Sequence, residues 1–265
     1  MKLYEIIEGE NKTCIGCLLC YEKSEDYVVE LIDGIDEWTA PLLFDKYVRA
    51  GEYTIPRKAG KLWVEERVIP SDRQNIGSIL RNHKMSSYNV QKLLDVSKGR
   101  CAQDNMYLRP INKLPEYVQR RTENYLSDCV ALPSNRLLCF FNNGTTKMSH
   151  LSGYTDIDKV DSVLRNENVY KTCSLAAGGR CITFNNSIDI QYTLLQERGE
   201  AINISLEDFV TFAKQNILDT TDICKALDCS RQNISYFVKS DRLTPIKEDV
   251  RGSLFLKADI ERIGW

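Results

Sequence analysis

Six polar side chains crowd one short stretch of this chain, and their types and spacing suit hydrogen bonding to nucleic-acid base edges or to phosphate. They are Ser230, Arg231, Gln232, Ser235, Tyr236 and Lys239, within DICKALDCSRQNISYFVKSDRL from Asp222 to Leu243. Arginine and glutamine carry paired groups that match purine edges, while lysine, serine and tyrosine reach phosphate oxygens. The apolar residues between them set the frame. Ile223 and Leu227 stand four apart, Cys229 follows in a tight turn, and Ile234 and Phe237 recur at helical spacing. The pattern predicts two short crossed helices closed on a small shared core. Ser230 would cap the second helix, and the six polar side chains would remain outside.

Other candidate chemistry is sparser. Cys14, Cys17 and Cys20 form a C-x2-C-x2-C run, a spacing that binds a metal when three thiolates and a fourth ligand converge. On a strand, alternation places Cys14 and Cys20 on one face and Cys17 on the other, so buried thiols and no metal are expected. His83 and His150 are the two histidines, and neither has a nucleophile patterned beside it. Gly178-Gly179-Arg180 lacks the lysine and the strand-loop-helix context of a phosphate loop, so a turn is expected there. Without a pair or triad at recognised catalytic spacing, the expectation is no enzyme and no cofactor.

The Asp222 to Leu243 stretch resembles the helix-turn-helix of bacterial regulators, particularly the excisionase and MerR-like branch, in which a β-hairpin wing and another helix follow. Candidates for both lie downstream. Thr244-Pro245 stops the second helix, and Pro245 to Leu256 is predicted as a hairpin turning near Glu248 to Gly252, with Lys247 and Arg251 close to its tip. Lys257 to Ile263 reads as a closing helix. The resemblance implies double-stranded DNA as the partner. Ser230, Arg231, Gln232, Ser235, Tyr236 and Lys239 would enter the major groove, and Lys247 and Arg251 would touch phosphate or the minor groove. One position departs from the family pattern: the turn residue that is usually glycine is Asp228, which adopts the left-handed conformation at some cost and adds negative charge near DNA.

Composition bounds the remainder. The chain has 265 residues, 43% hydrophobic and 27% charged, values of an ordinary globular protein long enough for two or three domains. MKLYEIIEGE has no basic segment leading into an apolar run, and no stretch reaches the roughly 18 apolar residues of a membrane span. A cytoplasmic location without membrane contact is therefore expected, with the ten cysteines reduced and mostly buried. The net charge of −2 is unevenly spread: residues 1–50 carry 5 basic and 11 acidic side chains, residues 51–121 carry 14 and 7, and residues 221–265 carry 8 and 7. An acidic N-terminal segment is repelled by phosphate, and the near-neutral C-terminal one needs help on DNA, from dimerisation into a homodimer or from the basic residues 51–121.

Periodicity divides the chain into three segments of a multidomain α+β protein. Residues 1–123 read as an α+β domain for an effector or a protein partner. It holds a hairpin of Cys14 to Leu19 and Tyr27 to Leu31 around the turn Glu22 to Asp26, then helices over Glu37 to Ala50, Leu62 to Val68, Arg73 to Asn82 and Asn89 to Val96. Trp38, Leu42, Leu43 and Tyr47 carry the first helical spacing, and Ser71-Asp72 offers a cap for the third helix. Arg57, Lys58, Lys61, Arg67, Arg73, Arg81 and Lys84 could line a face for a nucleic-acid backbone, but the preferred reading is a solvated surface, with Tyr53, Trp63 and Tyr88 in the core.

Residues 124–204 read as a small β-rich domain. Its strands are Cys129 to Leu132, Arg136 to Phe141, Thr145 to Leu151, Val169 to Leu175, Arg180 to Phe184 and Ser187 to Ile190, followed by a helix over Gln191 to Arg198. RLLCFFNNGTTKMSHL at Arg136 to Leu151 and GGRCITFNNSIDIQYTLL at Gly178 to Leu195 resemble a family of small β-rich bacterial domains of unknown function, often joined to helix-turn-helix modules. Residues 205–265 form the third segment, opened by the capping box Ser205-Leu206-Glu207-Asp208. The expected function is a sequence-specific DNA-binding transcriptional regulator of bacterial or phage type. The alternative is a protein-binding modulator, an antitoxin or an inhibitor of a defence nuclease, with residues 1–204 holding the protein partner.

Overall fold

A computed structural model describes residues 1–204, 206–250 and 252–264, and for 206, 207, 248–250 and 252 the backbone alone. Two compact units, Met1–Gln119 and Arg120–Trp265, each combine helices with antiparallel sheet, so the class is α+β. Among the described residues no helix is long and apolar enough to cross a membrane.

In the first unit β1 (Lys2–Glu8), β2 (Thr13–Tyr21) and β3 (Asp26–Leu31) run as an antiparallel meander. The chain continues through α1 (Asp45–Arg49), β4 (Thr54–Ile55), α2 (Arg57–Glu65), α3 (Ile76–Asn82) and α4 (Val90–Ser97) to β5 (Tyr107–Ile111), and α5 (Glu116–Thr122) spans the boundary at Gln119. Strand order is β4-β3-β2-β1-β5, which leaves Pro110 on an edge strand, where a missing N–H is tolerated. Tyr4, Ile6, Leu18, Cys20 and Val29 of the sheet meet Phe44, Val48, Trp63, Val64, Leu93 and Leu94 in one core.

Prolines move several expected boundaries. Pro41 bars a helix running from Glu37, so only a 3-10 turn at Leu42–Phe44 and α1 form, and Trp38 and Leu42 are 88% and 87% exposed instead of lining the helix's inner face. Pro56 stands at the N-cap of α2, which therefore starts at Arg57 and ends before Val68. Helix α3 starts behind Asn75 with no side-chain cap, so Ser71-Asp72 does not open it. Helix α4 forms as expected: the Asn89 side chain accepts the Lys92 N–H at 2.8 Å.

The cysteine run needs a correction. In the β1–β2 register Ile6 lies opposite Gly16 but Ile7 lies opposite Cys14, leaving Ile15 as an extra residue. That bulge turns Cys14 onto the same face as Cys17, while Cys20 points into the core with Leu18. The alternation expected from an uninterrupted strand is broken, yet the three thiols still do not converge. No group of three or more His, Cys, Asp or Glu side chains suited to a metal ion occurs among the described residues.

The second unit begins with β6 (Leu126–Leu132), β7 (Arg136–Phe141) and β8 (Thr146–His150), then α6 (Val160–Leu164), α7 (Glu167–Tyr170), β9 (Ser174–Leu175), β10 (Cys181–Phe184), β11 (Ile188–Gln191), α8 (Tyr192–Arg198) and β12 (Glu200–Ala201). Sheets of order β12-β8-β7-β6 and β11-β10-β9 enclose a core that includes Leu137, Cys139, Tyr154, Val163, Phe184 and Ile190. The strand expected over Val169 to Leu175 is mostly absent. The Asn166 side chain accepts the N–H groups of Asn168 and Val169, which starts a helical turn and leaves two residues for β9. Gly178 and Gly179 form the expected turn at φ +77° and +70°, and a Cβ on Gly179 would come within 2.3 Å of the Leu126 carbonyl oxygen.

The same unit continues with α9 (Leu206–Asn216), β13 (Ile217–Asp219), α10 (Thr220–Ala226), α11 (Arg231–Lys239), β14 (Lys247–Val250), β15 (Gly252–Leu256) and α12 (Lys257–Gly264). The capping box proposed at Ser205 lies outside the described residues. Helix α9 covers the second face of the β6–β8 sheet: Phe212 meets Phe140 edge-on at 5.3 Å between centroids, and Arg136 pairs with Asp208 at 3.1 Å. Thus residues 124–204 and 205–265 share one compact unit.

Candidate nucleic-acid interface

Helices α10 and α11 owe their separation to three local devices. Asp219 accepts the N–H groups of Thr221 and Asp222, while the Asp222 carboxylate takes the Asp219 N–H, a reciprocal cap that opens α10. These bonds hold the Asp219 carboxyl below the usual aspartate range. At the turn Asp228 takes φ +47°, a left-handed conformation in a residue other than glycine. Ser230 then accepts the Asn233 N–H at 3.3 Å and starts α11.

A shared core fixes which side of α11 faces out. Ile223, Ile234, Leu243, Phe255 and Ile260 are buried together, with Leu227, Cys229, Phe237 and Val238 partly buried against them. The five core positions expected from the sequence are all in this cluster, but Leu243, Phe255 and Ile260 contribute more than Leu227 or Cys229 do. Strand β15 supplies Phe255 because it pairs with β13 on one side and β14 on the other, a three-stranded sheet that ties the helix pair to the hairpin. Strand β13, only Ile217–Asp219, is too short a signal to separate by periodicity from the helices beside it.

With the core settled, Ser230, Arg231, Gln232, Ser235, Tyr236 and Lys239 are all exposed, Tyr236 at 63%. The Arg231 guanidinium lies 3.4 Å from the Thr221 hydroxyl, and the Ser235 hydroxyl donates to the Arg231 carbonyl at 3.2 Å. Lys247 is exposed on β14, opposite Leu254 in the hairpin register, and Arg251 lies outside the described residues. Two exposed groups were missed by the sequence reading. Thr221 steadies Arg231 from the neighbouring helix, and Arg242 lies with its guanidinium 4.7 Å from the Phe237 ring centroid. Arg242 follows the C-terminus of α11, beyond Ser240 and the left-handed Asp241, and is exposed.

The basic side chains of residues 51–121 do not form one free set. Arg57 pairs with Asp26 at 3.2 Å, and Arg67, only 4% exposed, stacks 3.8 Å over the Trp63 ring and pairs with Asp104. Lys58, Lys61, Arg73, Arg81 and Lys84 are exposed, while Tyr53, Trp63 and Tyr88 pack in or against the core. His83 and His150 are both at the surface.

Comparison of the chain with protein-family models, with curated proteins and with solved structures yields no match.

Proposed function

We propose that this chain is a sequence-specific DNA-binding protein, a transcriptional regulator whose C-terminal segment is a helix-turn-helix with a hairpin wing. One observation carries the reading: α11 buries Ile234 while presenting Ser230, Arg231, Gln232, Ser235, Tyr236 and Lys239 together to solvent. In this reading α11 enters the major groove, with Arg231 and Gln232 near its N-terminus on base edges. Tyr236 and Lys239 reach the flanking backbone, and Lys247, with Arg251 beside it in sequence, contacts phosphate from the wing. A helix of nine residues reads few base pairs, so a homodimer on two half-sites about one helical turn apart supplies the remaining specificity. The location consistent with this role is the cytoplasm.

A second reading is a protein-binding modulator, antitoxin or nuclease inhibitor, with DNA contact autoregulatory. It is favoured by the charge balance of residues 221–265, where 8 basic groups face 7 acidic ones and the Coulombic attraction to DNA is weak. Selection of DNA fragments by the purified full chain separates the two. A recurrent motif whose affinity falls in Arg231→Ala supports the regulator, and the absence of any enriched motif at low salt removes it.

A further inference from the structure

The first unit carries an acidic cleft of about 1010 Å³ with two large apolar side chains at its edge. Trp38 and Leu42 line it, and they are the most exposed of the large hydrophobic side chains among the described residues. Trp38 is not left outside by a loose chain. The Asp36 carboxylate accepts the Trp38 and Thr39 N–H groups at 2.9 and 2.8 Å and the Thr39 hydroxyl at 3.1 Å, and the Asp36 carbonyl accepts the Ala40 N–H. That turn fixes the backbone at Trp38, whose side chain is left 88% exposed.

Charge inside the cleft has one sign. Among the described residues Glu8, Glu10, Glu66 and Asp104 line it, and no lysine, arginine or histidine does. Asp104 is neutralised by the buried Arg67 guanidinium. Glu8 instead accepts the N–H groups of Asn11 and Glu10 at 2.8 and 3.0 Å and the Asn105 amide at 2.8 Å, which hold its carboxyl below the usual range without a cation. Glu10 and Glu66 are exposed beside it. Trp63, also lining the cleft, is 2% exposed and its indole N–H finds no acceptor among the described residues.

We infer that this cleft docks a polypeptide segment of a partner protein that carries basic residues next to an apolar one. The apolar side chain packs on Trp38 and Leu42, and the basic ones meet Glu8, Glu10 and Glu66, with cation–π attraction to the exposed indole. A free small cation fits less well: the indole stands at the rim, almost wholly in solvent, and a small ion leaves it there. All these residues lie in the first unit, so the inference is independent of DNA binding by α11.

The test is calorimetric titration of the full chain with a blocked hexapeptide of alternating lysine and leucine, with its glutamate-for-lysine analogue, and with arginine methyl ester. Saturable one-to-one binding of the basic peptide is expected, weakened at least about tenfold in Trp38→Ala, which keeps every charge, and also in Glu10→Gln/Glu66→Gln. Unchanged melting by circular dichroism shows that both variants are folded. Equal affinity in Trp38→Ala, equal binding of the acidic analogue, or no binding of the basic peptide at millimolar concentration overturns the inference. Arginine methyl ester binding as tightly as the peptide overturns the choice of a polypeptide.

Discussion

The side-chain amide of Asn216, at the end of α9, donates to the Asp128 carboxylate on β6 at 3.2 Å, joining two segments 88 residues apart in sequence. The second Asp128 oxygen is buried without a partner among the described residues. Burial drives this carboxyl up to about 6, against the Cys129 N–H that favours its charge and with the nearby Glu261 carboxylate adding to the rise; Lys257 and Arg262 pull the other way. Arg262 in turn donates to the Ser127 carbonyl, so α12 is tied to the same strand.

This joint makes stability depend on pH with a definite sign. Between the ordinary aspartate value near 3.9 and about 6, Asp128 binds more proton in the folded than in the unfolded chain, so its contribution to stability is fully present below about pH 4 and is lost as pH rises through 6. The loss is on the order of 2–3 kcal/mol. In denaturant unfolding across pH 4 to 7, the stability of the native chain should fall relative to that of Asp128→Asn as pH rises, whatever the variant's absolute stability. Identical slopes would remove Asp128 as the cause and leave Glu261, which burial also raises.

Arg231→Ala and Gln232→Ala remove exposed side chains from α11 and should leave the melting temperature within experimental error. On the proposed function each weakens binding to a selected DNA site by about 1–3 kcal/mol and relaxes preference at one base position. Affinity and preference both unchanged in the two variants would falsify the proposed docking of α11.

Ile234→Ala acts on the other side of the same helix. Ile234 is 3% exposed in a core of few residues, so its truncation should destabilise the segment by about 2–5 kcal/mol. Thermal unfolding followed by circular dichroism checks this, and a variant melting like the native chain would mean that α11 is rotated from the orientation described.

Lys239→Ala and Lys247→Ala probe phosphate contacts. Each should lower affinity for specific and random duplexes alike and reduce the slope of log affinity against log salt by about 0.9. A slope that does not move in either variant places the phosphate contacts on other residues.

Cys14, Cys17 and Cys20 are expected to bind no metal. Elemental analysis of protein purified without chelator should find no stoichiometric zinc or iron, and chelator should leave the melting temperature unchanged. Burial raises the Cys14 and Cys20 thiols, so alkylation at neutral pH should be slow for both in the folded chain. One tightly held metal per chain would overturn the structural role.

Local patterning made the C-terminal elements readable. Ser230 and Asp228 signal a cap and a turn within a few residues, and Ile223, Ile234 and Phe237 recur at helical intervals, so α10, α11 and their buried face follow from neighbours in sequence. The Asn143-Gly144 turn between β7 and β8 is legible for the same reason. Pairings between distant residues leave no such trace. Strand β13 exists because Ile217 to Asp219 find β15, the Ile15 bulge exists because β1 and β2 change register, and Trp38 stands in solvent because Pro41 and the Asp36 turn prevent the helix its spacing suggested. The sequence by itself determined which short segments bury one face and which polar side chains remain outside, since those depend on period and caps. The tertiary structure alone decided that α9 closes the β6–β8 sheet, that Asp128 is buried beside Asn216, and that Glu8, Glu10 and Glu66 share a cleft with Trp38. Each of these joins residues from separate parts of the chain, and only packing in three dimensions selects such partners.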